Sequence, residues 1–201
     1  AGGVVGGSGY LYPKNCENHG NVSGNNYVGG IKGKNIGNES PSECINYGNV
    51  TGNTYVGGIT GNGSMSDCIN NGNVSGVQYV GGLIGYYKTA GLKKGFNYGD
   101  IKGESYVGGC AGYVSTNTLY LKLSSLNNSG KVEGVTNVGG IAGYARCNHG
   151  QEKSSISLCI NEGDVTGEEN IGGLIGQLNN PYASSSMTLT NNSTSGIITG
   201  K

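Results

Sequence analysis

A repeated phrase constrains the fold of this chain more than any other feature of the sequence. Its clearest copy is NYGNVTGNTYVGGITG at positions 46–61. The phrase has two halves at a fixed offset, N-x-G-x-V/I-x-G and V/I-G-G-I/L/C-x-G. The first half begins at six asparagines, Asn18, Asn46, Asn70, Asn97, Asn128 and Asn161. A repeat of this size is one structural unit, which buries its apolar face only by stacking on its copies.

The length of the repeat varies at one point only. Successive glycine pairs lie 24 to 33 residues apart. The variation falls between the end of one phrase and the start of the next, in spacers at 62–67, 86–94, 113–125, 144–158 and 177–191. A constant phrase with one variable insert predicts a solenoid whose loops share one edge.

The secondary structure expected for each unit is strand and turn. Helical periodicity is missing over most of the chain, and Asn-Gly pairs interrupt it every few residues. We therefore predict a single array over 1–201, an all-β parallel β-solenoid (β-helix) of about seven coils with three short sides per coil. In the clearest copy the strands are expected at 44–46, 49–51 and 55–60. Residues 119–126, with leucines at alternate positions, predict an inserted strand.

The interior of the predicted solenoid follows from positions that repeat. One column of β-branched residues is expected to point inward, namely Val22, Val50, Val74, Ile101, Val132 and Val165. Val56 and Ile59 are both expected inside, and their separation by three residues breaks strand alternation. The glycine pair between them must therefore form a bulge or a bend.

The six repeat asparagines also form one column. Stacked amides can hydrogen-bond to their copies in the coils above and below, and asparagine tolerates the left-handed conformation of a tight turn. We interpret Asn18, Asn46, Asn70, Asn97, Asn128 and Asn161 as a structural ladder.

Four cysteines share a column four residues before a repeat glycine, namely Cys16, Cys44, Cys68 and Cys159. The main interpretation is a small buried hydrophobic side chain. Disulfides are the alternative, because Cys44 and Cys68 in adjacent coils could have the Cα spacing that a bridge requires. Zinc is disfavoured, since no C-x-x-C motif is present and His19 is far from His149 in the array. Cys147, in a long spacer, is expected to be the exposed thiol.

Four tyrosines, Tyr27, Tyr55, Tyr79 and Tyr106, form a further column next to an inward valine, and they are expected to face outward. They either stack with one another or offer a flat aromatic stripe to a sugar or a protein. The column ends at Asn137 and Asn170. In the longest spacers, Arg146 and His149 are further candidates for binding a partner, because loops on a rigid scaffold commonly carry binding sites.

The second half of the phrase resembles the GLUG repeat, most closely in the GGLIG segments that begin at Gly81 and Gly172. That family is found in bacterial cell-surface proteins, including large adhesin-like chains and repeat regions of some IgA-cleaving metallopeptidases. The resemblance covers nearly the whole chain and implies an extracellular, structural or adhesive role. It brings with it no catalytic residue, cofactor or metal ligand.

Charge and hydropathy exclude several other classes. The chain has 12 basic and 12 acidic residues, without a basic cluster, so nucleic acid is not an expected partner. No apolar run is long enough for membrane insertion. No catalytic motif is found, so we expect no enzyme and no cofactor.

The expected function is therefore a structural or display segment of an extracellular bacterial surface or filament protein. The alternative is an adhesin module that binds a host glycan or protein. Both ends fall inside a repeat, so we expect a segment of a longer chain or a unit that associates with itself head to tail.

Overall fold

The structure is a computed structural model that describes residues 1–36, 39–88, 91–116, 120–147, 154–181 and 187–201. All regular structure in these residues is β-strand, and no helix within them could cross a membrane. The strands wind through about six turns and form four parallel sheets. The predicted all-β parallel β-solenoid is confirmed.

A full coil contributes a short strand to each of the four sheets, and the last two coils each contribute two strands to the second sheet. The first half of the chain contains β1 Val5–Ser8, β2 Glu17–Asn18, β3 Val22–Ser23, β4 Asn26–Gly29, β5 Lys32–Asn35, β6 Ile45–Asn46, β7 Val50–Thr51, β8 Thr54–Gly57, β9 Thr60–Asn62, β10 Ser66–Asn70, β11 Val74–Ser75, β12 Gln78–Gly81, β13 Ile84–Tyr87 and β14 Gly91–Asn97. The second half contains β15 Ile101–Lys102, β16 Ser105–Gly108, β17 Ala111–Thr116, β18 Lys122–Asn128, β19 Val132–Glu133, β20 Thr136–Gly139, β21 Ala142–Cys147, β22 Ser154–Ser157, β23 Ile160–Asn161, β24 Val165–Gly167, β25 Glu169–Gly172, β26 Ile175–Asn179, β27 Met187–Thr190, β28 Ser193–Thr194 and β29 Ile198–Gly200.

The four sheets run the length of the array. The first sheet is β1-β5-β9-β13-β17-β21-β26, and the second is β2-β6-β10-β14-β18-β22-β27 with β23 and β28. The third is β3-β7-β11-β15-β19-β24-β29, and the fourth is β4-β8-β12-β16-β20-β25. All pairings between these strands are parallel and join equivalent positions of successive repeats, as in Val50 with Val74 and Val74 with Ile101.

The number of sides differs from the prediction of three. The strand expected at 55–60 is divided, because β8 ends at Gly57 and β9 begins at Thr60. A Cβ atom on Gly57 would overlap the carbonyl oxygen of Thr60, and one on Gly58 would overlap Gly82 and Asn70. The pair therefore forms a corner so close to other backbone that only glycine fits there. The expected bend is confirmed, and it creates the fourth side.

The interior consists of two hydrophobic cores rather than one. The predicted column from Val22 to Val165 is buried throughout and belongs to the smaller core, together with Val56. Ile59 is equally buried but belongs to the larger core, which also contains Cys44 and Leu83. The two clusters share no residue, and the repeat asparagines and the glycine corners lie between them.

The spacers all fall at one edge, as predicted. In each coil they connect a strand of the first sheet to a strand of the second, for example β9 to β10 and β21 to β22. Much of the spacer sequence extends these sheets. The predicted inserted strand is part of β18, which pairs with β14 and β22, and Leu121, Leu123 and Leu126 are buried. Residue 119 lies outside the described residues.

Two residues in each coil adopt the left-handed conformation, with φ between 49° and 59°. They are Asn15, Glu43, Asp67, Lys94, Ser125, Leu158 and Asn191 before or within the second sheet, and Tyr27, Tyr55, Tyr79, Tyr106, Asn137 and Asn170 in the fourth. In the fourth sheet the ladder skips this position, since Thr54 pairs with Gln78 and Val56 with Val80. The same position is skipped on both partner strands, so the backbone bends there without a change of register. The tyrosines at this position are half-buried, whereas Asn137 is buried. The six repeat asparagines are not among these residues, so the left-handed conformation that asparagine tolerates is not used at the ladder positions.

Candidate functional site

The tyrosine column predicted in the fourth sheet exists and is stacked. Ring centroids of Tyr27 and Tyr55 are 4.8 Å apart, those of Tyr55 and Tyr79 5.0 Å, and those of Tyr79 and Tyr106 4.9 Å. The rings are within 10° of parallel. All four side chains are half-buried.

A second tyrosine column lies beside the first, on the first sheet. Tyr86, Tyr113 and Tyr144 occupy one register position, with centroid separations of 5.0 Å and 4.9 Å. Edge-to-face contacts join the two columns, as between Tyr79 and Tyr113 at 5.6 Å. The sequence analysis missed this column, although each member directly follows the last glycine of the phrase. We call these seven side chains the tyrosine patch.

The geometry of the tyrosine patch limits what it can bind. Because the rings within a column stack face to face, their faces are occupied and the surface presents ring edges and hydroxyl groups. The column therefore does not present the flat aromatic stripe that was an alternative in the sequence analysis. Burial raises the pKa of Tyr79, Tyr86 and Tyr113 above that of a free tyrosine. At neutral pH these hydroxyls are hydrogen-bond donors without charge.

Two cationic side chains, Lys34 and Arg146, lie beside the tyrosine patch. Lys34 Nζ lies 4.7 Å from the centre of the Tyr27 ring, a cation–π contact. Arg146, on β21, lies near enough to Tyr113 to oppose the rise of that pKa caused by burial. Its buried Nε has no hydrogen-bond partner. Arg146 therefore borders the patch, whereas His149 lies outside the described residues.

The asparagine ladder is confirmed in full. Each side-chain NH₂ group donates to the side-chain oxygen of the next asparagine, as from Asn46 to Asn70 at 2.7 Å. The same group donates to the carbonyl two residues ahead, as from Asn46 to Gly48 at 2.7 Å. Both patterns run from Asn18 to Asn161, where the last amide meets Thr194. The ladder is buried, so these bonds satisfy polar groups that water cannot reach.

All six cysteines are free, so the disulfide alternative is not realised in this structure. Cys44, Cys68 and Cys159 are buried as predicted, while Cys16 is partly exposed. Cys147 is also buried, because β21 continues through it and points it inward, so its expected exposure was wrong. A hydrogen bond between the side chains of Cys44 and Cys68 lowers the pKa of Cys44 and raises the pKa of Cys68. Burial raises the pKa of Cys68 further. The described residues contain no group of three or more potential ligands that could hold a metal.

A further column of side chains, Asn21, Asn49, Asn73, Asp100, Lys131 and Asp164, joins successive coils on the surface. The side-chain oxygen of Asn49 accepts from the backbone N–H of Asn73 at 3.0 Å, and that of Asp100 accepts from Lys131 at 2.9 Å. Each of these side chains thus satisfies the backbone of the next coil. Lysine has no acceptor, so Lys131 cannot continue the chain of bonds.

A buried lysine is the other feature that the sequence analysis missed. Lys32 takes the inward position filled by Ile84 two coils later, and it is fully buried. Its Nζ donates to the carbonyl oxygens of Leu11 at 3.1 Å and Glu39 at 3.0 Å. Burial lowers the pKa of Lys32, and the charge of Glu39 opposes that change. The arrangement ties an insert to the first turns of the array.

Comparisons of the chain with protein-family models, with curated proteins and with solved structures found no match, so the likeness to GLUG repeats rests on the phrase itself.

Proposed function

We propose that this chain is a structural or display segment of an extracellular bacterial surface or filament protein. The observation that carries the proposal is the continuity of its ladders. Seven strands of the first sheet pair without interruption, and the buried asparagine amides repeat beside them. At about 4.8 Å per coil, such a rod holds its two ends roughly 30 Å apart. The GLUG-like phrase supports the extracellular location.

The test is location on intact cells. Antibodies raised against the isolated segment should label unpermeabilised cells of the source organism, and surface proteolysis should remove the signal. Labelling only after permeabilisation would contradict the proposal. An antibody to a cytoplasmic enzyme is the matched control for cell integrity.

The terminal strands of the first sheet are relevant to self-association. Among the described residues, β1 and β26 close the first sheet at opposite ends, and each leaves one strand edge without a partner. Such edges accept further strands. The proposed role therefore includes end-to-end stacking on further coils, from the same polypeptide or from a second copy. Negative-stain microscopy of the purified segment checks this, and dispersed single particles at high concentration would contradict stacking between copies.

The tyrosine patch favours a second candidate function, an adhesin module that binds a host glycan or protein. Its hydroxyls and ring edges, with Lys34 and Arg146 beside them, form a polar aromatic surface suited to hydrogen bonding. A glycan array and a host-protein array test it. Binding that is lost on Tyr55→Ser with Tyr79→Ser, but kept on Tyr47→Ser on another sheet, would support the adhesin, and an array without binding would contradict it.

A further inference from the structure

The outer face of the second sheet carries an apolar strip that the tyrosine patch does not include. Ile45, Ile69 and Phe96 occupy one register position in three successive coils and point outward. Tyr47 and Tyr98 lie two residues after Ile45 and Phe96, just past the ends of β6 and β14. The exposed fractions of Tyr47, Phe96 and Tyr98 are 44%, 37% and 54%. An exposed apolar and aromatic strip of this kind is typical of a protein–protein contact.

Charges on this face are separated along the solenoid axis. Glu17, Glu43 and Asp67 lie in the first three coils, and Lys93, Lys94 and Lys122 lie in the next two. Two exposed ion pairs already link neighbouring coils, Lys14 with Glu43 at 3.2 Å and Lys94 with Asp67 at 3.3 Å. Along the axis the face therefore changes from mainly acidic to basic, and these charges lie beside the apolar strip in the same coils.

Strand register makes this face complementary to itself. Consider a two-fold axis that runs along the strands at the level of Ile69. It places Ile45 opposite Phe96 of a second copy, Tyr47 opposite its Tyr98, and Glu43 opposite its Lys94. Asp67 lies at the level of the axis, opposite its own copy, and is paired with Lys94 of its own chain. One coil further out Glu17 lies opposite Asn127, so the charge complementarity is confined to Glu43 and Lys94. A two-fold contact of this kind uses the same patch on both partners.

We propose that two copies of this chain pack antiparallel, through the outer face of the second sheet, into a closed dimer. The strip spans three coils, or roughly 14 Å. A contact of that extent is smaller than a standard protein–protein interface, so the dimer is weak and forms at about 100 micromolar or higher concentration. The contact is lateral and involves none of the terminal strand edges proposed for end-to-end stacking.

The test is a charge swap followed by sedimentation velocity. Lys94→Glu alone places acidic groups opposite Glu43, and Glu43→Lys alone places basic groups opposite Lys94. Each variant should weaken its own dimer by at least about tenfold. In an equimolar mixture the two variants restore opposite charges at both ends of the strip, so a heterodimer should form. Phe96→Ser should also weaken the dimer. Because that side chain is only 37% exposed, circular dichroism checks that the variant is folded before its sedimentation is compared.

The matched control is the exposed pair of Lys102 with Glu133, 3.3 Å apart on the third sheet. Lys102→Glu and Glu133→Lys should leave dimerisation unchanged. A wild-type chain that stays monomeric into the millimolar range would overturn the proposal, and so would a mixture of the two swap variants that sediments as monomers. Fibres that form equally in all variants would leave end-to-end stacking standing and overturn the lateral contact.

Discussion

The side-chain NH₂ group of Asn70 donates to the side-chain oxygen of Asn97 over 2.8 Å, between two hydrophobic cores that share no residue. Each coil therefore has a polar bond buried at its centre, and each bond requires the coil above and the coil below. The stability of one coil depends on its neighbours through this ladder as much as through apolar contact.

Asn97→Ala tests the ladder. It removes the acceptor of Asn70, the donor to Asn128 at 2.7 Å and the donor to Gly99 at 2.7 Å. Unsatisfied buried groups cost about 1–3 kcal/mol each, so we expect a loss of about 3 kcal/mol or more in the free energy of unfolding. Urea denaturation measures it. Asn71→Ala, at an exposed asparagine, should change that free energy by less than about 0.5 kcal/mol.

Val74→Asp tests the smaller core. Val74 is buried between Val50 and Ile101, so the new carboxylate would have no partner and would destabilise the array by several kcal/mol. Thermal unfolding followed by circular dichroism is the measurement. Thr51→Asp, on the outward side of the neighbouring strand, is the control and should melt close to wild type. Equal melting temperatures for the two variants would refute the assignment of Val74 to the interior.

Gly58→Ala tests the corner. The added methyl group would overlap the carbonyl oxygen of Gly82 and the side chain of Asn70, neither of which can move without breaking a ladder. We expect soluble expression to fall sharply and any folded protein to melt well below wild type. Gly6→Ala is the matched control, because its Cβ has open space. A Gly58→Ala protein as stable as the Gly6→Ala protein would show that the corner tolerates a side chain.

The tyrosine patch predicts a loss of stability in alkali. The folded-state pKa values of Tyr79, Tyr86 and Tyr113 are raised by burial above the unfolded value of about 10. The stability that these phenols contribute is therefore fully present below about pH 10 and is lost as the pH rises through their folded pKa values. Phenolate absorbance should rise together with unfolding measured by circular dichroism. If the phenolate absorbance of all the tyrosines rose before circular dichroism showed unfolding, the predicted link between ionisation and stability would be contradicted.

Thiol reactivity should separate Cys16 from the other cysteines. It is the one partly exposed thiol of the six, whereas the other five are buried. An aromatic disulfide reagent should therefore react with a single thiol rapidly in the native protein and with six in denaturant. Cys16→Ser should remove the rapid phase. Persistence of that phase in the variant would mean that another cysteine opens to solvent.

Much of the architecture could be predicted from the repeat. Identical residues at equivalent positions must pair in register when coils stack, which is why the valine column and the asparagine ladder were correctly placed. The position of the spacers was also readable, because an insert that falls at one point of the phrase falls at one edge of the solenoid.

The candidate site was only partly predictable. Tyr55 was correctly placed outside, but the stacking of its ring faces depends on the coil spacing and on the left-handed backbone conformation at that position. Tyrosine, glutamate, lysine and leucine all adopt this conformation here, so residue type does not reveal it. The column that begins at Tyr86 was missed because it lies on a different sheet, across a corner.

The sequence by itself determined the repeat unit, the register between coils and the edge that carries the inserts, because periodicity acts on every copy alike. The tertiary structure decided the number of sides, the division of the interior into two cores, and the inward positions of Cys147 and Lys32. These features depend on where the backbone bends and on how far each strand continues into its spacer. The position of each bend and the length of each strand are set by contacts between residues that are far apart in the sequence of one repeat.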